Sequence, residues 1–323
     1  MASPAEALLQ PIVFQPLLME RIWGGRRLEA LFGKRLPPGA TIGESWELVD
    51  RPEAQSIVNA GPWHGRTLHD LWLHERTAVF GAISDAPRFP LLIKLLDAQE
   101  TLSLQVHPPL SVAEELGGEP KTEFWYLVDA LPAADLYVGL KKGSSRRAIE
   151  RALENGTVAE HLHRVAVRTG DAMFLPSGRM HAIGAGCVIV EIQQNSDTTY
   201  RVFDWNRTDS AGAPRQLHIA ESLQSIDFDD HEPELIAVDG ESLLQHDLFA
   251  VEKWNLTAPR EITVAGIFAV VICLAGEVEC AGITLQAGEL FLLPAAAQDR
   301  TIRPRVAGSS LLRVLSGGQS ATN

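Results

Sequence analysis

Along most of this chain, apolar residues either alternate with polar ones or run together in short pieces set between Gly, Pro, Asp and Asn. FPLLIKLLDA (89–98), TEFWYLVDA (122–130), CVIVEIQQ (187–194), TYRVFDW (199–205) and FAVVICLAG (268–276) all have this form, and each predicts a strand. Helical spacing is rarer. TLHDLWLHERTAVFG, from Thr67 to Gly81, carries apolar residues at helical intervals and a closing glycine. SSRRAIERALENG, from Ser144 to Gly156, adds an Arg146/Glu150 pair one turn apart. LSVAEELGG (110–118) predicts a third, short helix stopped by Gly117 and Gly118. The pattern is that of a mainly β protein with a few short helices.

One frame occurs twice. VRTGDAMFLPSGRMHAI, from Val167, and LQAGELFLLPAAAQDRTI, from Leu285, share Gly, an acid, an apolar run and Pro, and Gly170 and Gly288 are 118 positions apart. A Gly-acid turn feeding an apolar strand and a proline marks small jelly-roll or cupin-type barrels. Five residues past the proline the first copy has His181 and the second Asp299, so the frame recurs without its chemistry. The acidic stretch DFDDHEPELIAVDGES (227–242) precedes the second copy and predicts a boundary, giving domains 1–235 and 236–323.

Composition narrows the function. The 323 residues include 46% hydrophobic and 21% charged side chains, with 26 Gly and 19 Pro, as expected for a turn-rich globular chain. A net charge of −13 argues against a nucleic-acid partner, and an anionic small substrate would need a local basic pocket. Cys187, Cys273 and Cys280 form neither a CxxC pair nor a disulfide framework, which points to a reducing cytoplasm. The N-terminus lacks the basic region of a signal peptide, and the longest apolar stretch, IFAVVICLAG (267–276), is too short to span a membrane.

Candidate chemistry lies between residues 103 and 207. In SLQVHPP (103–109), strand alternation points Gln105 and His107 the same way. Lys121 and Glu123 share one face of the next strand, and His181 follows Pro176. Two imidazoles and a carboxylate are a common ligand set for a catalytic zinc, and the Gln105 amide offers a weaker fourth donor. Nitrogen and oxygen donors without thiolate also suit manganese, iron or cobalt. Within EIQQNSDTTYRVFDWNR (191–207), the run from Gln193 to Thr199, ending in Tyr200 and Arg201, is too polar for core and too long for a tight turn, so it predicts a loop lining a polar site. Arg201 at its end suits a phosphate or carboxylate.

Seven segments in order, WGG (23–25), GESWE (43–47), FPLLIKLLDA, LSLQVHP (102–108), KTEFWYL (121–127), GDAMFLPSGRMHAI (170–183) and EIQQNSDTTYRVFDWNR, resemble type I phosphomannose isomerases of the short bacterial class. The resemblance spans about residues 10–315. It implies a bicupin fold, one zinc ion per chain, and interconversion of mannose 6-phosphate and fructose 6-phosphate. It makes His107, Glu123 and His181 zinc ligands, with Gln105 as the fourth, and gives Arg201, Lys121 and Glu191 catalytic roles. Glu191 would be the acid–base group, with Glu44 of GESWE as the other candidate. Arg179 stands where a small residue is expected and Asn206 where an aspartate is expected. Asp299 in place of histidine implies a metal-free second barrel. Two other classes share such ligands, namely a sugar sensor without turnover and an iron dioxygenase.

Overall fold

The computed structural model describes residues 10–82, 85–208, 212–237 and 240–317, so residues 238–239 of the acidic stretch lie outside the description. The chain is mainly β, and its strands form two pairs of sheets plus a two-stranded ribbon. In the first pair, a six-stranded sheet runs Ala172–Leu175, Glu123–Ala130, Cys187–Gln194, Leu91–Ala98, Ile42–Leu48, Leu17–Gly25. Its partner runs Tyr200–Phe203, Leu104–Val106, His181–Ile183, Asp135–Leu140, Leu162–Ala166. All five expected strands are present. TYRVFDW stops early, at Phe203, because Trp205 and Asn206 both take positive φ (55° and 56°), which leaves the extended region.

The second pair repeats the order. Leu290–Leu293, Ala269–Ala275, Ser310–Ser316 and Phe249–Asn255 stand as the first four strands of the six-stranded sheet do, and Ser242–Gln245 closes the edge. Opposite them, Arg260–Glu261, Thr301–Pro304, Glu277–Cys280 and Ile283–Gln286 repeat the order from Leu104–Val106 to Leu162–Ala166. The twice-occurring sequence frame therefore marks corresponding strands. Glu123 pairs with Leu175 and Ala269 with Leu293, the residues just before Pro176 and Pro294.

Alternation sorts each strand between two cores. Phe124, Tyr126, Val188, Val190, Ile192, Leu91, Ile93 and Leu95 face away from the interior of the first pair. They pack in one cluster with Phe249, Val251, Val270, Ile272, Leu292, Leu312 and Val314 of the second pair, so the two pairs share an apolar seam. The opposite faces build separate interiors, around Leu127, Leu136 and Ile189 in the first pair and Trp254, Val271, Phe291 and Leu311 in the second.

Helices are peripheral. The stretch from Thr67 forms two helices, Leu68–His74 and Arg76–Phe80, broken at Glu75, whose φ/ψ of −120°/20° is not helical. Thr67 caps the first by accepting from Asp70 N at 3.0 Å. Arg146–Asn155 is capped by Ser145 and ended by Gly156 in the left-handed region (φ 71°). The predicted helix at 110–118 shortens to Leu110–Ala113. Two further helices, Arg27–Phe32 and Ile219–Ser225, had no sequence expectation. All three cysteines are buried and free.

Candidate active site

Strand pairing assembles the site. Across one sheet Arg201, Gln105 and His181 stand side by side. Across the other stand Trp125, Glu191, Lys94 and Trp46. His107 follows Leu104–Val106 directly, and Glu123 opens its strand, so the two sheets bring both imidazoles to one carboxylate.

His107, Glu123 and His181 are each about 1% exposed, and their ligating atoms all lie within 4.8 Å of one another. The geometry defines the tautomers. His107 Nδ1 donates to Thr198 O (2.8 Å) and His181 Nδ1 to Arg179 O (2.9 Å), since a carbonyl can only accept. Both Nε2 atoms therefore present lone pairs. They face Glu123, at 3.2 Å from Oε1 and 3.7 Å from Oε2. Burial, then the nearby Lys121 charge, pushes His107 down to about 3, and burial also lowers His181. Burial alone would raise Glu123, but the Lys121 charge beside it holds it well below the usual carboxylate range.

Acceptors facing acceptors in a buried place need a cation. In this structure the ammonium of Lys121 plays that part, 2.7 Å from Glu123 Oε1 and 3.4 Å from His107 Nε2. The contact with Oε1 is an ion pair without hydrogen-bond geometry, because both Glu123 oxygens and His181 Nε2 lack a hydrogen-bond partner. Two neutral imidazoles and an orphaned carboxylate fit a divalent metal of the zinc type, with backbone carbonyls orienting the rings from behind. The Gln105 side chain lines the cleft beside them.

Beside the triad, and reaching it through Gln105 and Lys121 rather than through the three residues themselves, lies a cleft of about 360 Å³. Arg21, Lys94, Lys121, Arg201 and Arg215 line it against Glu44, Glu191 and Asp197, which gives the local positive excess that the acidic chain lacks overall. Arg201 has no carboxylate at ion-pair distance among the described residues; its Nη1 donates to Gln216 O at 2.8 Å, while its buried Nε has no partner. Arg215 and Arg207 instead share Asp204. Glu44 is occupied, accepting from Arg21 and from Trp46 Nε1 (2.6 Å). Burial works against the Glu44 charge, but Lys94 and Arg21 win and hold its pKa down. Glu191 differs. Burial first, and the Glu123 charge second, push it up to about 8, and its nearest cations are 3.9 and 4.0 Å away.

Sequence reasoning missed Lys94, Arg21 and Arg215. Lys94 carried a signal, as the single charge in the apolar run FPLLIKLL. Arg179 does not reach the cleft, because Asp230 and Phe174 O bind its guanidinium, while its carbonyl orients His181. A larger groove of about 630 Å³ runs between the N-terminal segment and the second sheet pair, and it contains none of the expected site residues.

Comparison with known proteins agrees with the geometry. The family model "Phosphomannose isomerase type I, catalytic domain" matches residues 12–126. The mannose-6-phosphate isomerase ManA of Bacillus subtilis is 38% identical over 277 residues, 83% of this chain and 86% of ManA. The putative mannose-6-phosphate isomerase YvyI of the same organism is 35% identical over 91% of this chain and 96% of its own length. A crystal structure of a mannose 6-phosphate isomerase from B. subtilis superposes with a TM-score of 0.84 at 33% identity, covering 94% of this chain and 99% of that one. A more distant structure, described as a mannose 6-phosphate isomerase bound with zinc and yttrium, shares the fold at a TM-score of 0.71 and 19% identity, over 95% of this chain and 99% of its own. With full-length relatives well above 30% identity, the chain belongs to the type I phosphomannose isomerases.

Proposed function

We propose that this chain is a zinc-dependent isomerase that interconverts mannose 6-phosphate and fructose 6-phosphate through an enediol. The observation that carries the reading is the convergence of the His107, Glu123 and His181 acceptors beside a cation-lined cleft. These three residues would hold one zinc ion, with Gln105 as an optional fourth ligand. Zinc there would act as a Lewis acid that stabilises negative charge developing on O1 or O2. The relative that is described as bound with zinc supports that choice of metal.

Glu191 is the acid–base group in this reading. Its raised proton affinity suits a carboxylate that must take a proton from one carbon and return it to the next. Glu44 serves less well, because Arg21 and Trp46 already occupy its oxygens. Arg201 offers unpaired donors to a phosphate or an enediolate oxygen, and Lys121 adds positive charge between Glu123 and Glu191. Residues 1–235 would form the catalytic cupin barrel and 236–323 a metal-free one, a bicupin. Three free buried thiols fit a reducing, cytoplasmic setting. Metal analysis combined with a coupled isomerase assay tests the whole proposal. One zinc per chain with turnover is expected; zinc without turnover would mean a sensor, and iron with oxygen consumption a dioxygenase.

A further inference from the structure

The repeated strand order lets the catalytic cleft be traced into the second sheet pair. Glu191 pairs with Trp125 on one side and Lys94 on the other. The residue in its place is Arg313, paired with Val271 and Glu252. The Lys94–Glu191 ion pair at 4.0 Å thus recurs with its signs exchanged, as Arg313 Nη2 to Glu252 Oε1 at 2.5 Å and Nε to Oε2 at 3.1 Å. By the same registers Thr263 stands where Gln105 does, because Arg260 pairs with Ile302 and Glu261 with Thr301.

This second mouth is not filled in. It is a cleft of about 380 Å³ lined by Glu252, Trp254, Arg260, Glu261, Thr263 and Arg313, slightly more than the volume of the catalytic one. Thr263 is 3% exposed, yet its hydroxyl oxygen has no hydrogen-bond partner. A buried hydroxyl left unpaired costs free energy that a valine of the same shape would avoid, so its presence needs a reason. Both cations in the lining are already paired, and Glu261 has no ion pair among the described residues. Glu252 holds Arg313, Glu241 holds Arg260 at 2.7 Å, and the two guanidiniums cover Trp254 at 3.7 and 5.0 Å from its ring centroid.

We propose that this mouth is a second ligand site, for a neutral polyhydroxylated small molecule of the monosaccharide or polyol class. Paired carboxylate and guanidinium groups offer acceptors beside donors, the combination that vicinal hydroxyls satisfy in both directions. A phosphate would find no spare cation, and an apolar ligand would strand the polar lining. The site is separate from the isomerase chemistry and stands or falls without it.

The test is a titration of isotope-labelled, full-length protein with D-mannose, followed at the indole N–H of Trp254 and the amide of Thr263, with Trp23 and Trp125 reporting on the catalytic cleft. Saturable shifts at Trp254 and Thr263 are expected, both with metal bound and after chelation. Thr263→Val should weaken them about tenfold, the worth of one hydrogen bond, and leave the Trp23 and Trp125 responses unchanged. Arg260→Gln, at an exposed position, should weaken the same shifts and serves should the valine variant fail to fold. Shifts confined to Trp23 and Trp125, a non-saturating response at Trp254, no effect of a folded variant, or tighter binding of inorganic phosphate than of D-mannose would each overturn the assignment.

Discussion

The strand holding Glu191 and the strand holding Arg313 occupy the same place in two sheets of the same order, yet among the described residues one faces a triad of metal-type donors and the other does not. Where the first pair has Glu123 the second has Ala269, and where the first has His181 the second has Asp299, held by Arg303 and Thr301. Backbone order thus supplies an inward-facing set of positions, and a handful of side chains decides whether they carry chemistry. That division can be attacked from either side, by removing groups from the first barrel or by altering their counterparts in the second.

The largest effect is expected at the triad. His181→Ala removes one of the three proposed zinc ligands, and zinc content should drop with kcat/KM, the latter by about three orders of magnitude or more. Asp299→Ala should leave metal stoichiometry and turnover as they are; a loss of zinc there would show that the barrels do not divide their labour. Elemental analysis beside the isomerase assay reads both.

Next comes the inverted pair. Glu191→Gln keeps shape but cannot accept a proton, so hydrogen exchange between substrate C2 and solvent should fall by about 10²- to 10⁴-fold while substrate still binds. Arg313→Met should spare turnover and instead lower stability, by about 3 kcal/mol, because Glu252 is left with an uncompensated charge in a largely buried place. Denaturant unfolding measures the second and isotope exchange the first. Exchange near the parent rate in the glutamine variant would transfer the role of base to Glu44.

Arg201→Lys keeps the charge and loses the planar fork, and about a hundredfold drop in kcat/KM is expected with unchanged zinc content. A fall mainly in kcat would place Arg201 at the reacting oxygens, and a rise mainly in KM would place it at the phosphate.

The smallest effect concerns a positioning residue. Arg51 Nη1 donates to Asn195 O and to Glu119 Oε2, both at 2.8 Å. It thereby ties the 195–199 loop, whose Thr198 carbonyl orients His107, to the segment leading into Lys121 and Glu123. Arg51→Ala should weaken metal affinity by about tenfold, seen by chelator competition and by a changed cobalt absorption spectrum, while the fold persists. An unaltered spectrum would make Arg51 a surface clamp only.

Much of this was legible in the sequence for identifiable reasons. Strands with two-residue alternation declare their faces, so Lys121 and Glu123 were expected on one side and Gln105 with His107 on another. The break at Glu75 was hidden because Leu68–His74 and Arg76–Phe80 keep a single apolar rhythm through it. The carbonyls of Thr198 and Arg179 were hidden for a different reason: an oriented backbone group leaves no mark on residue identity. Arg313 and Glu252 escaped notice because both strands lie outside the recurring frame, one after it and one before it, and only pairing register shows that they answer Glu191 and Lys94.

The apolar seam between the sheet pairs bears on how the molecule comes apart. Cutting the chain at residue 235 would strip the cover from Leu91, Ile93, Leu95 and Val190, leaving a wide β surface open to self-association. Neither half is thus a free-standing module, and calorimetry should record one endotherm whose van't Hoff and calorimetric enthalpies agree. The second sheet pair then persists in this chain for a thermodynamic reason: it is half of the wall against which the pair holding His107, Glu123 and His181 melts.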